Sequence, residues 1–246
     1  MGKFYHLFDT QAEYQAARNN RYTYREPWLG YCKETGKMSY DKVWPESVAN
    51  CYEYVDLGLP SGNLWATKNI GASSITDQGS TFEWGGIAAK TTTNSWTGYR
   101  FGGKNATATT LTKYNATDGK TTLDIEDDAA RVKWGGSWQI PTSEDYRELA
   151  YLVNGNSSYT TKSEETINGV VCSVLTSVIN GNKLYFPRSS YGGYEVWTAS
   201  RHPTSTGTAY AFVRESESNK WYDCMLEYRT RYLLLPVRGI IKKPTV

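Results

Sequence analysis

The chain contains few of the residues that usually bind transition metals. Its 246 residues include only two histidines, His6 and His202, and four cysteines without a Cys-x-x-Cys spacing. The four cysteines are Cys32, Cys51, Cys172 and Cys224. Because these residues lie far apart in the sequence, a Cys/His zinc site is not expected. Free thiols are the expected state, and one or two disulfides stay open as an alternative.

Long apolar segments and runs of basic residues are also absent. No segment approaches the roughly 18 apolar residues of a membrane span, so no membrane insertion is expected. The N-terminus lacks the apolar core of a secretory signal, which indicates either export by another route, as for a virion part, or a trimmed chain. The formal net charge is only +2, and nucleic-acid binding is therefore not expected.

Sequence signatures of common catalytic sites are missing as well. The chain has no Gly-x-Ser-x-Gly, no phosphate-binding loop and none of the Glu-Pro-Asn, Gln-Pro-Asp or Trp-Asn-Asp triplets of calcium lectins. The acidic pairs at 127–128 and 164–165 are better explained by a helix start and a solvated loop than by acid catalysis. We therefore expect no enzyme and no cofactor, while hydrolysis by two carboxylates that meet only in space stays open.

Tyrosine and tryptophan, in contrast, are abundant. The sequence has 20 Tyr and 9 Trp but only 6 Phe. Both side chains join a broad apolar face to a polar tip, which suits binding surfaces, although β-rich cores use them too. In the last third of the chain they lie between short strands, which the pattern predicts at 183–187, 195–200, 207–213 and 232–239. This arrangement predicts a rigid sheet that presents polar and aromatic side chains.

Two units are expected along the chain: a small mounting module at residues 1–50 and a main domain at 51–246. The module is predicted to hold a helix at Gln11–Arg18 and a hairpin within residues 27–40. It is too small for a core of its own, so it is expected to pack on a neighbour or another subunit.

The main domain is predicted to contain short strands and two helices. A hairpin turns at residues 59–62, brief strands follow at 81–86 and 138–140, and residues 88–122 form a long surface loop. One helix spans 124–134. A second begins at Thr142, where Thr142 and Asp145 form a capping pair, and ends at Asn154.

Seven motifs of this domain, taken together, resemble a domain common in Bacteroides-type bacteria and their phages. They are residues 54–72 (YVDLGLPSGNLWATKNIGA), 82–85 (FEWG), 127–130 (DDAA), 134–142 (WGGSWQIPT), 184–187 (LYFP), 196–200 (VWTAS) and 236–238 (PVR). The resemblance covers roughly residues 52–241, and residues 26–42 are similar to leader modules of Bacteroides phage fibre proteins. It implies an α+β chain with the C-type-lectin-like fold, in the variant shared by formylglycine-generating enzymes and by variable proteins of diversity-generating retroelements.

In such variable proteins the last part of the domain carries the diversified binding positions, which correspond here to about residues 191–232. Removing apolar strand positions and glycines leaves thirteen candidate ligand-binding residues. They are Tyr194, Glu195, Arg201, His202, Arg214, Glu215, Lys220, Trp221, Tyr222, Asp223, Tyr228, Arg229 and Arg231. The strand residues expected to hold the fold are Val196, Trp197, Ala209, Ala211, Leu233, Leu235 and Val237.

The resemblance therefore implies a receptor-binding display protein, namely a phage tail-fibre tip adhesin located in the virion. Its expected partner is a bacterial surface protein or glycan, and a homo-oligomer is expected, a trimer at a fibre tip. A bacterial cell-surface adhesin and a metal-independent, carbohydrate-binding lectin are the alternatives. A copper oxidase of the formylglycine-generating type is more remote, because Cys172 and Cys224 do not lie in matching motifs.

Overall fold

The computed structural model describes residues 52–92, 95–150, 159–189 and 193–242, apart from residues 215, 218–219 and 222–224. Residues 214, 216–217, 220–221 and 225 are described by their backbone alone, as are residues 5–8, 28–32 and 37–41. These last three ranges are the strands β1 (Tyr5–Phe8), β2 (Trp28–Cys32) and β3 (Lys37–Asp41). β2 pairs with β1 in parallel and with β3 antiparallel, as the expected hairpin requires. The helix expected at Gln11–Arg18 lies outside the described residues.

A four-stranded antiparallel sheet joins the start of the main domain to its end. Its order is β4 (Tyr54–Asp56), β5 (Leu64–Asn69), β17 (Arg238–Ile241) and β7 (Trp138–Gln139). The β4–β5 turn closes as predicted, because the Gly62 N–H donates to the Leu59 carbonyl at 2.7 Å and Gly62 adopts a φ of +66°. Trp65 lies opposite Ile240, and both are fully buried.

A second antiparallel sheet consists of β8 (Thr160–Ile167), β9 (Val170–Ser177) and β10 (Lys183–Pro187), in the order β10-β9-β8. The sequence predicted β10 but not the β8–β9 hairpin. β8 is mostly Thr, Ser, Lys and Glu, and its side chains are largely exposed, so it carries little apolar pattern for a sequence argument to find.

The third sheet holds most of the candidate residues. β12 (Thr208–Arg214) lies between β11 (Tyr194–Arg201) and β15 (Met225–Thr230), and both pairings are antiparallel. The link from β12 to β15 contains a short hairpin of β13 (Ser216–Glu217) and β14 (Lys220–Trp221).

The prediction of a strand at residues 232–239 is wrong for the first part of that range. The chain turns at residues 231–233 and then forms β16 (Leu235–Pro236), which pairs with β6 (Thr81–Phe82), before continuing into β17. In this apolar run, Leu233 and Leu235 are partly buried against the larger core cluster, and the run does not form a continuous strand.

In the described part of the chain, two α-helices complete the fold, which makes the architecture α+β. α1 (Ala129–Trp134) follows a short 3-10 turn at Ile125–Asp127, and the Asp128 carboxylate caps it by accepting from the Arg131 N–H at 3.0 Å. α2 (Ser143–Ala150) begins with the predicted capping pair: Thr142 N–H donates to Asp145 Oδ2 at 2.7 Å, and Asp145 N–H donates to Thr142 Oγ1 at 3.3 Å. Within the residues described, no helix is long and apolar enough to cross a membrane.

The segment 88–122 is not only the surface loop that its composition predicted. Although it is irregular, its side chains Tyr99, Phe101, Leu111 and Tyr114 are buried and pack in the larger core cluster with Trp84 and Trp197. Four large apolar side chains spaced along a polar loop are enough to fix it to the sheets.

Candidate binding surface

The two faces of the third sheet have different environments. On β12, Ala209, Ala211 and Val213 point into the larger core cluster, whereas Phe212 belongs to the smaller cluster that packs against α2. Tyr210 shares the face of Phe212, because alternate residues of a strand point to opposite sides. Tyr210 lies near the end of this face and is only half-buried.

Three aromatic side chains meet there, which we call the aromatic cluster: His202, Tyr210 and Tyr228. The ring centres of Tyr210 and Tyr228 are 4.7 Å apart, and those of His202 and Tyr228 are 4.0 Å apart. Tyr210 and Tyr228 are direct cross-strand partners in the β12–β15 register. Tyr228 is 44% exposed, so the cluster presents a large ring to solvent.

Hydrogen bonds orient the cluster. The hydroxyls of Tyr210 and Tyr228 are 3.0 Å apart, and their hydrogen bond, followed by burial, raises the pKa of Tyr210. His202 Nδ1 accepts from the backbone N–H groups of Thr204 at 3.0 Å and of Ser205 at 2.9 Å. A ring nitrogen that accepts two N–H donors is unprotonated, so the proton of the neutral imidazole lies on Nε2.

Helix α2 adds a charged side chain beside the cluster. The Arg147 guanidinium lies 5.9 Å from the centre of the Tyr210 ring, and its Nε donates to Glu144 Oε1 at 3.2 Å. The capping pair at Thr142 sets where α2 begins, and Arg147 lies in the last turn of this short helix.

A second pair of candidate residues meets in an ion pair. Arg229 Nη2 lies 2.9 Å from Glu195 Oε1, and Arg229 Nη1 lies 3.6 Å from Glu227 Oε2. Glu195 and Arg229 are both half-buried, so they are restrained by the fold and still reachable from solvent.

Three of the thirteen candidates are interior residues, which corrects their selection as surface positions. Tyr194 is 2% exposed and stacks on Phe186 at 4.8 Å. Arg201 is 5% exposed, and its guanidinium donates to the carbonyls of Lys120 and Ser205. Arg231 is fully buried. Polar residues in the segment 191–232 predict exposed side chains, but the polar groups of these three residues find their partners inside the protein.

Arg231 lies within a cage of four aromatic rings. Its guanidinium carbon is 4.6 to 5.8 Å from the ring centres of Trp84, Tyr99, Phe101 and Tyr114. It donates to the Tyr99 hydroxyl and to the carbonyls of Lys113, Tyr114 and Thr206. Desolvation lowers the pKa of Arg231. Its role is to join the loop 99–114 to the third sheet.

The six remaining candidates lie at the end of β12 or on the link between β12 and β15. Arg214, Lys220 and Trp221 have described backbone positions at the end of β12 and in β14, while Glu215, Tyr222 and Asp223 lie outside the described residues. Since β12 and β15 also carry Tyr210 and Tyr228, the topology attaches this link to the two strands of the aromatic cluster.

The sequence argument missed Tyr210 and Arg147. Tyr210 was treated as a strand residue, yet it alternates with the small buried residues Ala209 and Ala211, and this period of two is a signal for the opposite face. Arg147 lies 55 residues or more before the three residues of the aromatic cluster, and only the packing of α2 on the sheet brings it beside Tyr210.

A separate cavity of about 490 Å³ lies between β5 and the end of α1. Its wall includes Tyr52, Lys68, Phe82, Lys133 and Trp134, and the Tyr52 ring stacks on Trp134 with centres 4.5 Å apart. None of the thirteen candidate residues lines this cavity.

Three acidic side chains converge beside the loop 99–114, at Asp124, Glu126 and Asp127. The Lys113 ammonium lies among them, 2.7 Å from Asp124 and 3.0 Å from Glu126, and forms a third ion pair with Asp127. Lys120 also pairs with Asp124 and Arg100 with Asp127, so three basic residues of the same chain balance the three carboxylates. Cys172 is free and buried, and burial raises the pKa of its thiol, which disfavours the thiolate that a metal needs.

Comparison of the chain with protein-family models, with curated proteins and with solved structures finds no match.

Proposed function

We propose that this chain is a receptor-binding display protein with the C-type-lectin-like fold of the formylglycine-generating-enzyme-like variant. In this proposal, the exposed residues of about 191–232 bind a bacterial surface protein or glycan, and the protein forms the tip of a phage tail fibre, as a trimer. The run of seven motifs supports the fold and the role. The aromatic cluster supports the position of the binding surface.

The observation that carries the proposal is the exposure of Tyr228 on a strand whose neighbours are fixed in the core. Tyr228 is 44% exposed and touches both His202 and Tyr210, while Ala209, Ala211 and Phe212 on the adjacent strand are buried. An aromatic side chain held in this way loses little conformational entropy when a ligand covers it. Binding surfaces are enriched in such rings for this reason.

In the alternative, a bacterial cell-surface adhesin, the same surface binds the ligand, and the protein is carried by a cell instead of a virion. The copper-oxidase alternative needs two thiolates close in space. Cys172 is fully buried with a raised thiol pKa, and Cys224 lies outside the described residues, so nothing in the described part supports that reaction.

The proposal is tested by binding of the labelled protein to intact Bacteroides cells, measured by flow cytometry. Tyr228→Ala and His202→Ala should weaken binding about tenfold or more, as for central interface residues. Ile179→Ala is the matched control, because Ile179 is 61% exposed on the turn between β9 and β10 in another sheet. Binding unchanged in Tyr228→Ala but lost in Ile179→Ala would overturn the proposal.

A further inference from the structure

The polar groups that the aromatic cluster leaves for a ligand are mainly hydrogen-bond donors. The two tyrosine hydroxyls share one hydrogen bond at 3.0 Å, so one of their two protons is left over whichever oxygen donates. The Arg147 guanidinium lies 5.9 Å from the centre of the Tyr210 ring, so its N–H groups add further donors beside this remaining hydroxyl proton.

His202 offers a donor as well. Because Nδ1 accepts the backbone N–H groups of Thr204 and Ser205, the single ring proton lies on Nε2. Within the described part of the chain, the hydrogen bonds of the His202 ring all involve Nδ1. The imidazole therefore cannot accept from a ligand through Nδ1, and it can donate through Nε2.

Arg147 supplies the charge. Its side chain is 37% exposed, and its ion-pair partner Glu144, three residues earlier on α2, is 78% exposed and contacts only Nε. The terminal nitrogens of the guanidinium carry four N–H groups that can point to a ligand. A surface ion pair this exposed contributes little, so Glu144 competes weakly with an incoming anion.

We infer that the aromatic cluster binds a carboxylated sugar residue of an acidic glycan. The carboxylate accepts from Arg147, from the Tyr228 hydroxyl and from His202 Nε2–H, and the pyranose ring packs its C–H face on the exposed Tyr228 ring. The inference rests on the proposed function, because it names the ligand of the same surface.

A sugar fits this surface better than an acidic peptide does. Peptide partners usually place an apolar or aromatic anchor in a pocket, and no residue of the aromatic cluster lines the 490 Å³ cavity described near β5 and α1. The cluster instead offers three tilted rings with polar edges, since the planes of Tyr210 and His202 make angles of 42° and 50° with that of Tyr228. Such an open, amphipathic surface suits a pyranose, which has an apolar C–H face and polar hydroxyl groups around its edge.

The test is isothermal titration of the full chain with trigalacturonic acid and with the uncharged galactose trisaccharide of the same linkage. We expect binding of the acidic sugar and about tenfold or weaker binding of the neutral one, because hydrogen bonds to a charged group are the stronger kind. Arg147→Ala and Tyr228→Ala should lose about tenfold in affinity, and Tyr228→Phe, which removes only the hydroxyl, should lose less. Lys183→Ala is the control, because it deletes one positive charge on β10, in a different sheet.

Equal affinity for both sugars, no binding of the acidic sugar, or an equal loss in Lys183→Ala would overturn the inference. Tighter binding of an aspartate-rich peptide than of the acidic sugar would overturn it too. Cell binding measured in parallel separates the two proposals. If cells bind through Tyr228 and trigalacturonic acid does not compete, the display function stands and the acidic-glycan ligand is wrong. If Tyr228→Ala leaves cell binding unchanged, the display surface is wrong as well.

Discussion

The guanidinium carbon of Arg231 lies 4.6 Å from the centre of the Trp84 ring, and both side chains are fully buried. The hydrogen bonds of this guanidinium go to the Tyr99 hydroxyl and to three backbone carbonyls rather than to a carboxylate. The positive charge is thus solvated by ring faces and peptide dipoles, which replace the water that burial removes. A residue that looks like a surface candidate in the sequence is therefore a central residue of the fold.

Arg231→Met should destabilise the domain by about 3 kcal/mol or more, because it leaves four acceptors without a partner in the core. Urea unfolding at 25 °C, followed by tryptophan fluorescence, measures this loss. Arg147→Met is the matched control, since it removes a partly exposed guanidinium, and it should change stability by less than about 1 kcal/mol. Equal effects of the two substitutions would contradict the interior role of Arg231.

Two adjacent glycines provide a sharper test of the packing of the loop 99–114. A Cβ on Gly102 would collide with the backbone carbonyl of Trp96, whereas nothing lies within 4 Å of a Cβ on Gly103. Gly102→Ala should therefore destabilise the protein by about 2 kcal/mol or more, because a backbone atom must move. Gly103→Ala should change stability by no more than about 0.5 kcal/mol. Thermal unfolding of the two variants compares them directly, and similar melting temperatures would contradict the packing.

The ion pairs of Lys113 with Asp124, Glu126 and Asp127 make the free energy of unfolding depend on pH. Hydrogen bonds first from Lys113 and then from Lys120 lower the pKa of Asp124 below its ordinary value of 3.8. A carboxyl group whose pKa is lower in the folded state stabilises the protein above the unfolded pKa, and this contribution is lost as the pH falls through the folded pKa.

Lys113→Met should cost about 1–3 kcal/mol near neutral pH, through the loss of charged hydrogen bonds. The difference in unfolding free energy between wild type and Lys113→Met should shrink as the pH is lowered below about 4, where the carboxyls are protonated. Urea titrations from pH 7 to pH 3 follow this difference, with Lys104→Met as an exposed-lysine control. If this difference in unfolding free energy stays constant or grows toward low pH, the ion pairs of Lys113 do not stabilise the fold as described.

The elements that the sequence predicts well are those whose signal is local. The turn at Gly62, the capping pair of Thr142 and Asp145, and the alternating strand β12 follow from turn chemistry, capping and a period of two. The β8–β9 hairpin was missed because β8 is polar up to its last residue, Ile167, and so has no apolar alternation of its own.

The binding surface was predictable only in part. Composition and resemblance pointed to His202 and Tyr228, which the fold brings together, but the same argument also selected the buried Arg201 and Arg231. Whether the arginine that follows β15 faces water or a cage of rings depends on distant segments, here the loop 99–114. Arg147 could not be found for the same reason.

Site-specific photo-crosslinking tests the central claim, that the aromatic cluster contacts the receptor. A benzophenone amino acid is placed at position 228, or at the more exposed position 179 as a control, and the protein is irradiated on intact Bacteroides cells. The proposal predicts a crosslinked surface molecule from position 228 and none from position 179. A crosslink from position 179 alone, or cell binding without any crosslink from position 228, would contradict it.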